Sequence, residues 1–269
     1  MEIKTITSVH NQRVKDAVKL RDHRQRTRQG RFVIDGAREI LRAVAGRVKL
    51  VELFVCEPLC KSAESLQVLA NLHNSGVDTW HVAPEVFEKL AFGDRHEGVL
   101  AVGETPQIEL DQIEVPVGSL VAVVEGLEKP GNLGAVVRAA DGAGVAAVIA
   151  ADARTDFYNP NCIRASLGTV FTRVVCQAAS GETLTWLRKR GCKIFAARPD
   201  AKVAYTDVDY RDDAVIVLGS EADGLSAAWR AADVTAIKLP MLGTADSLNI
   251  STTAAVLFYE ALRQRTKRG

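Results

Sequence analysis

The chain has 269 residues, of which 47% are hydrophobic and 25% charged, and its formal net charge is +1. This length allows two modest domains with separate cores, and the composition is ordinary for a globular protein in water. No apolar run reaches the roughly 18–20 residues that span a bilayer, and the amino-terminal segment lacks the apolar core of a signal peptide. The sequence therefore argues against a membrane-spanning protein and predicts a cytoplasmic location.

The cysteines give no sign of a disulfide framework or a metal site. They are five in number and scattered, at positions 56, 60, 162, 176 and 192. An odd, dispersed set is typical of a reducing compartment. Cys56 and Cys60 could begin a metal site, but no second pair follows and the histidines do not cluster at ligand spacing. We therefore expect no bound metal.

The first part of the chain predicts a small α/β domain over residues 1–105. Apolar positions at helical spacing predict a helix with a basic face over 10–22. The elements predicted after it are strands at 32–34, 50–55, 78–82 and 98–102 and helices over 37–48, 64–74 and 84–91. Residues 106–118 contain two prolines and little periodicity, and they are predicted to form a linker.

Residues 119–269 predict a second α/β domain. Short apolar runs alternate with helical segments, a pattern typical of a parallel sheet buried on both faces. The predicted strands lie at 120–124, 146–150, 193–197, 215–218 and 235–239, and the predicted helices at 132–142, 159–167, 181–190 and 225–231. A last helix carries one apolar stripe, formed by Ala254, Leu257, Phe258, Ala261 and Leu262. Ligands of such sheets usually bind beyond the carboxyl ends of the strands.

Three segments at predicted strand ends, 125–134, 219–226 and 240–249, carry the chemistry-bearing residues. The second has the G-x-x-x-x-G frame of a phosphate-binding loop, but Leu225 stands where the phosphate-binding lysine is required. Gly142 and Gly144 follow a helix rather than a strand, so they do not form a dinucleotide-binding fingerprint. No Ser/His/Asp arrangement appears. Common nucleotide and hydrolase chemistries are therefore disfavoured.

Taken together, the three segments resemble the SpoU (TrmH) branch of the SPOUT RNA methyltransferases. The family patterns are N-x-G-x-x-x-R, G-S-E-x-x-G-[LM] and P-M-x-G-x-x-x-S-L-N. They are matched in order by Asn132, Gly134 and Arg138, by Gly219, Ser220, Glu221, Gly224 and Leu225, and by Pro240, Met241, Gly243, Ser247, Leu248 and Asn249. A fourth stretch, 159–168, is similar to the family's segment between the first two motifs. One such motif would be weak evidence, but four in order over about 120–265 are specific.

The resemblance implies a deep trefoil knot in the catalytic domain, a homodimer and S-adenosylmethionine as the cofactor. It also implies methyl transfer to a ribose 2′-hydroxyl of RNA, with ribosomal RNA favoured over transfer RNA because of the two-domain layout. The residues implied for catalysis are Arg138, Asn132, Glu221, Ser247 and Asn249, and those implied for cofactor binding are Gly219, Leu239, Met241, Leu248 and Asn249. An arginine with a pKa above about 12 is a poor base, so orientation and charge stabilisation suit Arg138 better.

Each of these residues also has an ordinary structural interpretation. Asn132 and Asn249 could cap helices, Arg138 could be a solvated charge, and Glu221 and Ser247 could belong to turns or caps. Their joint occurrence in the order of the family motifs favours the functional interpretation.

The amino-terminal segment has a strongly basic balance. Residues 1–47 hold twelve Lys and Arg against five Asp and Glu, so this segment carries +7 and the remainder −6. Guanidinium groups suit phosphates, and the segment also resembles the RNA-binding domain that precedes many SpoU-type catalytic domains. The residues expected to contact RNA are Arg21, Arg24, Arg26, Arg28 and Arg31. The alternative is a solvated basic face.

Three other functions remain open from the sequence. The chain could methylate transfer RNA at the same ribose position, or it could methylate a base nitrogen, although the N-x-G-x-x-x-R motif favours ribose. It could also be a catalytically silent RNA-binding assembly factor with the same fold.

Overall fold

The computed structural model describes residues 4–72, 75–93 and 96–266. The chain divides into a front unit, Met1–Gln107 with Tyr158–Thr172, and a second unit, Ile108–Phe157 with Arg173–Gly269. The strands in chain order are β1 (Thr5–Ile6), β2 (Arg31–Asp35), β3 (Leu50–Val55), β4 (Asp78–Val82), β5 (Val99–Glu104), β6 (Leu120–Glu125), β7 (Ala147–Ala151), β8 (Val174–Ala178), β9 (Lys193–Ala197), β10 (Val203–Ala204), β11 (Ala214–Leu218) and β12 (Val234–Lys238). The α-helices are α1 (Gln12–Lys19), α2 (His23–Gln29), α3 (Ala37–Ala45), α4 (Ala63–Leu72), α5 (Pro84–Leu90), α6 (Pro130–Gly142), α7 (Pro160–Ala165), α8 (Ser180–Lys189) and α9 (Ile250–Thr266).

The front unit is built on a mixed sheet whose order, within the described residues, is β1-β4-β3-β5-β2. β4 pairs in parallel with β1 and β3, whereas β5 pairs antiparallel with β3 and β2. Phe54 and Leu100 from the sheet pack with Val14 of α1 and Phe87 of α5 in one buried cluster. The prediction of a small α/β unit at this end of the chain is confirmed.

The helix predicted over 10–22 is α1 in the structure, and a second helix, α2, follows it directly. Asn11 caps α1 by accepting a hydrogen bond from the backbone N–H of Arg13. Asp22 begins α2 in the same way, accepting at 3.1 Å from the backbone N–H of Gln25. A side-chain acceptor at an N-cap replaces the helical partner of an N–H group, so Asp22 starts a new helix. The sequence interpretation missed α2.

The stretch 159–168 that resembles the family's intermediate segment belongs to the front unit, where it forms α7 and the turn after it. The ring of Phe32 on β2 lies 4.8 Å from Tyr158 and 5.7 Å from Phe171, centroid to centroid. Gly168 has a φ of 81°, and a β-carbon there would lie 3.1 Å from the Cα of Glu39 on α3. This segment is therefore held to β2 and α3 by aromatic packing and a close backbone approach.

The second unit contains a sheet in the order β10-β12-β9-β11-β6-β7-β8, and its described strands pair in parallel. The predicted parallel sheet is confirmed. β6, β7 and β11 are buried along their whole length, which explains their continuous apolar sequences. The sequence interpretation missed β8 and β10, and the helix predicted over 225–231 is a short 3-10 helix, Ala227–Arg230.

Residues assigned to the linker contribute to the core of the second unit. Ile113 and Val115 are buried in the same cluster as Val123 of β6 and Trp229. A 3-10 helix, Leu110–Gln112, precedes them. The carboxyl-terminal part of segment 106–118 is thus packed against the second unit.

The order of the strands creates a crevice at one edge of the second sheet. From β6 the chain moves outward through β7 and β8, and it then returns to the other side through β9, β11 and β12. The direction of winding changes between the neighbours β6 and β11. The crevice beyond the carboxyl ends of such strands is the usual ligand site of a parallel α/β sheet. Within the described residues, no helix has the length and apolar character to cross a bilayer, and no three His, Cys, Asp or Glu side chains form a metal-binding group.

Candidate active site

Three residues from different motifs meet beyond the carboxyl ends of β6 and β11. Asn132 lies in the first turn of α6, Glu221 in the loop after β11, and Asn249 directly before α9. Oε1 of Glu221 accepts hydrogen bonds from Nδ2 of Asn132 at 2.9 Å and from Nδ2 of Asn249 at 2.8 Å. We call these three residues the amide–carboxylate cluster. A carboxylate that accepts from two amides fixes the orientation of both.

Asn249 both caps the start of α9 and contacts Glu221. Its Oδ1 accepts from the backbone N–H of Ser251 at 2.9 Å and from Oγ of Ser251 at 2.7 Å, at the start of α9. Because the oxygen faces the helix, the amide nitrogen faces Glu221. Asn132 is not a cap, since the N-cap of α6 is Lys129. Within the described residues, Oδ1 of Asn132 accepts one long hydrogen bond of 3.4 Å, from Nδ2 of Asn249, and it retains capacity for a further donor.

The loop that carries Glu221 is a tight turn closed by glycines. The backbone N–H groups of Ser220 and Gly224 donate to each other's carbonyls at 3.2 and 3.1 Å. Oγ of Ser220 accepts from the backbone N–H of Asp223 at 3.0 Å. A β-carbon on Gly219 would overlap the backbone of Gly224, so Gly219 has no room for a side chain. The turn therefore places Glu221 at its tip.

A buried carboxylate under the site was missed from the sequence. Oε1 of Glu125, the last residue of β6, accepts from Oγ of Ser180 at 2.6 Å and from Nε1 of Trp229 at 2.8 Å. Oε2 accepts from the backbone N–H of Ser226 at 2.7 Å. These contacts join the loops that follow β6, β8 and β11. A glutamate at the end of an otherwise apolar strand was the available signal.

A cleft of about 360 Å³ opens at the ends of β9, β11 and β12. This volume falls within the range of small-molecule sites. Its lining includes the predicted site residues Gly219, Glu221, Leu239, Met241, Ser247 and Leu248. Asn132, Arg138 and Asn249 are not among the lining residues. The structure therefore gathers most of the predicted cofactor residues around one cleft, with the amide–carboxylate cluster joined to it through Glu221.

The cleft also contains an ion-pair group that the sequence interpretation missed. Arg198 follows β9 and binds Asp200 in a bidentate manner, from Nε at 2.9 Å and from Nη2 at 2.6 Å. Nη1 of Arg230 lies 3.4 Å from the same carboxylate. The hydrogen bonds from Arg198 lower the pKa of Asp200. The position of Arg198 directly after a predicted strand was the only sequence signal.

Arg138 is not brought to the amide–carboxylate cluster. It lies six residues after Asn132 on α6, which turns it by about 240° around the helix axis. Its side chain is exposed, and within the described residues it makes no hydrogen bond or ion pair. Ser247 is also exposed, although it lines the cleft.

The five arginines predicted to bind RNA divide into two groups in the front unit. Nη2 of Arg21 donates to the carbonyls of Leu90 and Ala91, at 3.0 and 2.8 Å, and burial lowers the pKa of Arg21. Arg26 is only 3% exposed, and its Nη1 donates to the carbonyl of Leu20 at 3.0 Å. Both therefore stabilise the front unit. The arginines that remain exposed are Arg24, Arg28 and Arg31.

Comparison with known proteins identifies both parts of the chain. Residues 119–259 match the SpoU rRNA methylase family, and residues 11–101 match the MRM3-like substrate binding domain. The 23S rRNA (uridine(2479)-2′-O)-methyltransferase of Streptomyces viridochromogenes is 31% identical, over 91% of this chain and 87% of the relative. A crystal structure of an RNA 2′-O ribose methyltransferase is 39% identical with a TM-score of 0.85, covering 97% of this chain and 99% of that chain.

A further solved structure is an AdoMet-bound rRNA methyltransferase from Sinorhizobium meliloti. It is 27% identical with a TM-score of 0.87, covering 97% of this chain and 98% of that chain. The family match spans more than half of the sequence and contains all three motifs, so the resemblance inferred from the motifs is confirmed. The chain belongs to the SpoU rRNA methylase family.

Proposed function

We propose that this protein is an S-adenosylmethionine-dependent RNA methyltransferase that methylates a ribose 2′-hydroxyl of ribosomal RNA in the cytoplasm. The observation that carries the proposal is the meeting of Asn132, Glu221 and Asn249 on one carboxylate, beside a cleft walled by the motif loops. The relatives named above act on rRNA or RNA at the 2′-O position, which supports the substrate class.

The residues of the cleft fit such a cofactor. Gly219 lines the cleft, and because it has no β-carbon the turn at Gly224 can close against it. The charged residues that line the cleft are the acids Asp200, Glu221, Asp223 and Asp246 and the bases Arg198 and Arg230. This excess of negative charge complements a cationic sulfonium. When bound, the cofactor would supply an electrophilic methyl group, and the residues to hold it are Gly219, Leu239, Met241, Leu248 and Asn249.

The chain's own residues would align the ribose. Oδ1 of Asn132 has capacity to accept a hydrogen bond from a hydroxyl, because its amide nitrogen is held by Glu221. A ribose hydroxyl is a very weak acid, so a cation that stabilises the developing oxyanion favours the reaction. Arg138 would provide that charge and orient the ribose or its phosphate, since its high pKa makes it a poor base. Ser247 would contact the cofactor or ribose from the cleft wall.

A second copy of the chain completes this arrangement. Arg138 is exposed and turned away from Asn132, so one chain does not combine it with the amide–carboxylate cluster. Tyr259 of α9 is also half-exposed, near the carboxyl end of α6. We therefore include a homodimer, with Arg138 acting on the partner's site, in the proposal. The proposal also includes the trefoil knot that the family resemblance implies for the catalytic domain.

RNA binding is assigned to residues 1–105, joined through segment 106–118 to the catalytic residues 119–269. The match to a substrate binding domain over 11–101 supports this division of roles. Arg24, Arg28 and Arg31 would contact backbone phosphates, since guanidinium groups bind them in a bidentate manner. Recognition by shape and backbone suits a segment with few aromatic residues.

The test uses purified protein, methyl-labelled S-adenosylmethionine and unmodified ribosomal or transfer RNA, with wild type compared with Arg138→Ala. We expect label in one ribosomal RNA, resistance of one linkage to alkali, and loss of label in the variant. Label in transfer RNA alone would favour the alternative substrate, and label on a base would contradict ribose methylation. Absence of both label and cofactor binding would favour the silent RNA-binding factor.

A further inference from the structure

The second oxygen of Glu221 is bound by a lysine that none of the motifs includes. Nζ of Lys129 lies 3.1 Å from Oε2 of Glu221, while Oε1 accepts from Asn132 and Asn249. The two oxygens are thus divided between a cation on one side and two amides on the other. Turning the plane of the carboxylate away from this orientation would break all three contacts.

The backbone of Lys129 is fixed by α6. Lys129 is the N-cap residue, and its carbonyl accepts from the backbone N–H groups of Asn132 at 3.1 Å and Leu133 at 3.2 Å. Pro130 follows as the first residue of the helix, with its φ restricted by the ring. The Lys129 side chain is 73% exposed. A fixed backbone below a solvated ammonium group keeps the charge next to Glu221 without burying it.

The charges around Lys129 do not form a phosphate site. Arg154 is the other cation of this rim, and it is paired with Glu128 and lies 3.8 Å from Asp223. The three carboxylates Glu128, Glu221 and Asp223 therefore outnumber the two cations. A rim with net negative charge does not attract an RNA phosphate, so direct phosphate binding by Lys129 is disfavoured. The partner of the Lys129 ammonium group is instead the carboxylate of Glu221.

We propose that Lys129 is a positioning residue that acts through Glu221. It holds the carboxylate in the orientation that aims the amides of Asn132 and Asn249. This inference rests on the proposed methyl transfer.

The first test compares Lys129→Met with Lys129→Arg and Arg154→Met in the methyl-transfer assay. Exposed ion pairs contribute little, so we expect about a fivefold lower kcat for Lys129→Met, with the KM for RNA changed less than about twofold. Lys129→Arg should restore most of the loss, because it keeps the charge. Arg154→Met removes one cation from the same rim without touching Glu221, and it should stay within about twofold of wild type.

A second test measures the surroundings of the two side-chain amides without requiring methyl transfer. The side-chain amide NMR signals of Asn132 and Asn249, assigned through Asn132→Asp and Asn249→Asp, should shift in Lys129→Met and not in Arg154→Met. Unshifted signals would contradict the inference, whether or not the wild type transfers methyl groups. An unchanged kcat, or a loss confined to the KM for RNA, would also contradict it. A wild type that is inactive while its lysine variant shows the shifts would instead refute the proposed function alone.

Discussion

The structure separates the predicted arginines of the front unit into exposed side chains and side chains that are buried or half-buried, whereas it brings predicted residues together at the carboxyl edge of the second sheet. In the run, Arg24 and Arg28 share one face of α2, whereas Arg26, about 200° from Arg24, is buried. At the sheet edge, residues from three distant motifs meet on Glu221. Parallel strands bring their carboxyl ends together whatever their sequence separation, but a helix distributes neighbouring residues over all its faces. Charge density along a sequence therefore predicts contacts less well than position at a strand end.

The largest expected effect concerns Arg138, a predicted catalytic residue that is not brought to the amide–carboxylate cluster. Arg138→Ala and Asn249→Ala should each lower kcat at least about 100-fold, the effect of removing a group that stabilises transition-state charge or orients it. If Arg138 acts on the partner's site, mixing the two inactive variants produces dimers with one intact site. Each mixed dimer has one intact site of its two, so dimers purified as mixed should recover about half of wild-type activity.

The mixture should be prepared by co-expression with two different affinity tags and purified over both. Two copies of Arg138→Ala carrying the same tags provide the matched control, which should stay inactive. No recovery in mixed dimers that bind cofactor would show that Arg138 acts within its own chain.

The second prediction separates the two groups of arginines in the front unit. Arg26→Ala leaves the buried carbonyl of Leu20 and the partly buried carbonyl of Arg21 without this donor and should lower the free energy of unfolding by about 2 kcal/mol. Arg24→Ala removes an exposed side chain and should change it by less than about 0.5 kcal/mol. Urea unfolding followed by circular dichroism measures both.

RNA binding should show the reverse order. At a temperature where both variants are folded, Arg24→Ala should weaken RNA binding, and the slope of log affinity against log salt should fall by about one. Arg26→Ala should leave that slope unchanged. Equal slopes in the two variants would remove Arg24 from the RNA contact.

The sequence predicted the fold best for strands that are buried on both faces, because apolar residues suit every position of such strands. β6, β7 and β11 are apolar along their whole length because both faces are covered, so their positions were correct within a residue or two. The short edge strand β10 has only two residues and left no such pattern. The motifs predicted Asn132, Glu221 and Asn249, but not their shared hydrogen bonds.

Lys129 and Glu125 were missed for a different reason. Each has a role that depends on the partner brought to it by the fold, Glu221 in the first case and Trp229 in the second. Both residues lie in segment 125–134, but nothing in the sequence of that segment specifies these partners. The grouping of segment 158–172 with the front unit likewise depends on packing around Phe32, which becomes apparent only in three dimensions.

The smallest expected effect concerns Asp35, a carboxyl group whose ionisation affects the stability of the front unit. Burial raises the pKa of Asp35 from 3.8 to about 6, and the nearby charge of Glu97 adds to the rise. A hydrogen bond from the backbone N–H of Phe92 and the charges of Arg164 and Arg21 oppose it. The folded state therefore binds a proton more tightly than the unfolded state between these values. Stability from this group is greatest near pH 4 and is lost as the pH rises through 6.

Asparagine imitates the protonated carboxyl group, so Asp35→Asn should remove this pH dependence. Between pH 5 and pH 7.5, the free energy of unfolding of Asp35→Asn should rise by about 1 kcal/mol relative to that of wild type, as measured by urea unfolding. The expected change is small because Asp35 is only partly buried. Asp16→Asn is the matched control. Hydrogen bonds from Gln12 and Lys19 lower the pKa of Asp16, so its stabilising effect is lost only as the pH falls below about 4, and its difference from wild type should be the same at both pH values. A constant difference for Asp35→Asn as well would show that Arg21 and Arg164 keep Asp35 ionised throughout, and that it belongs with the paired charges of this unit.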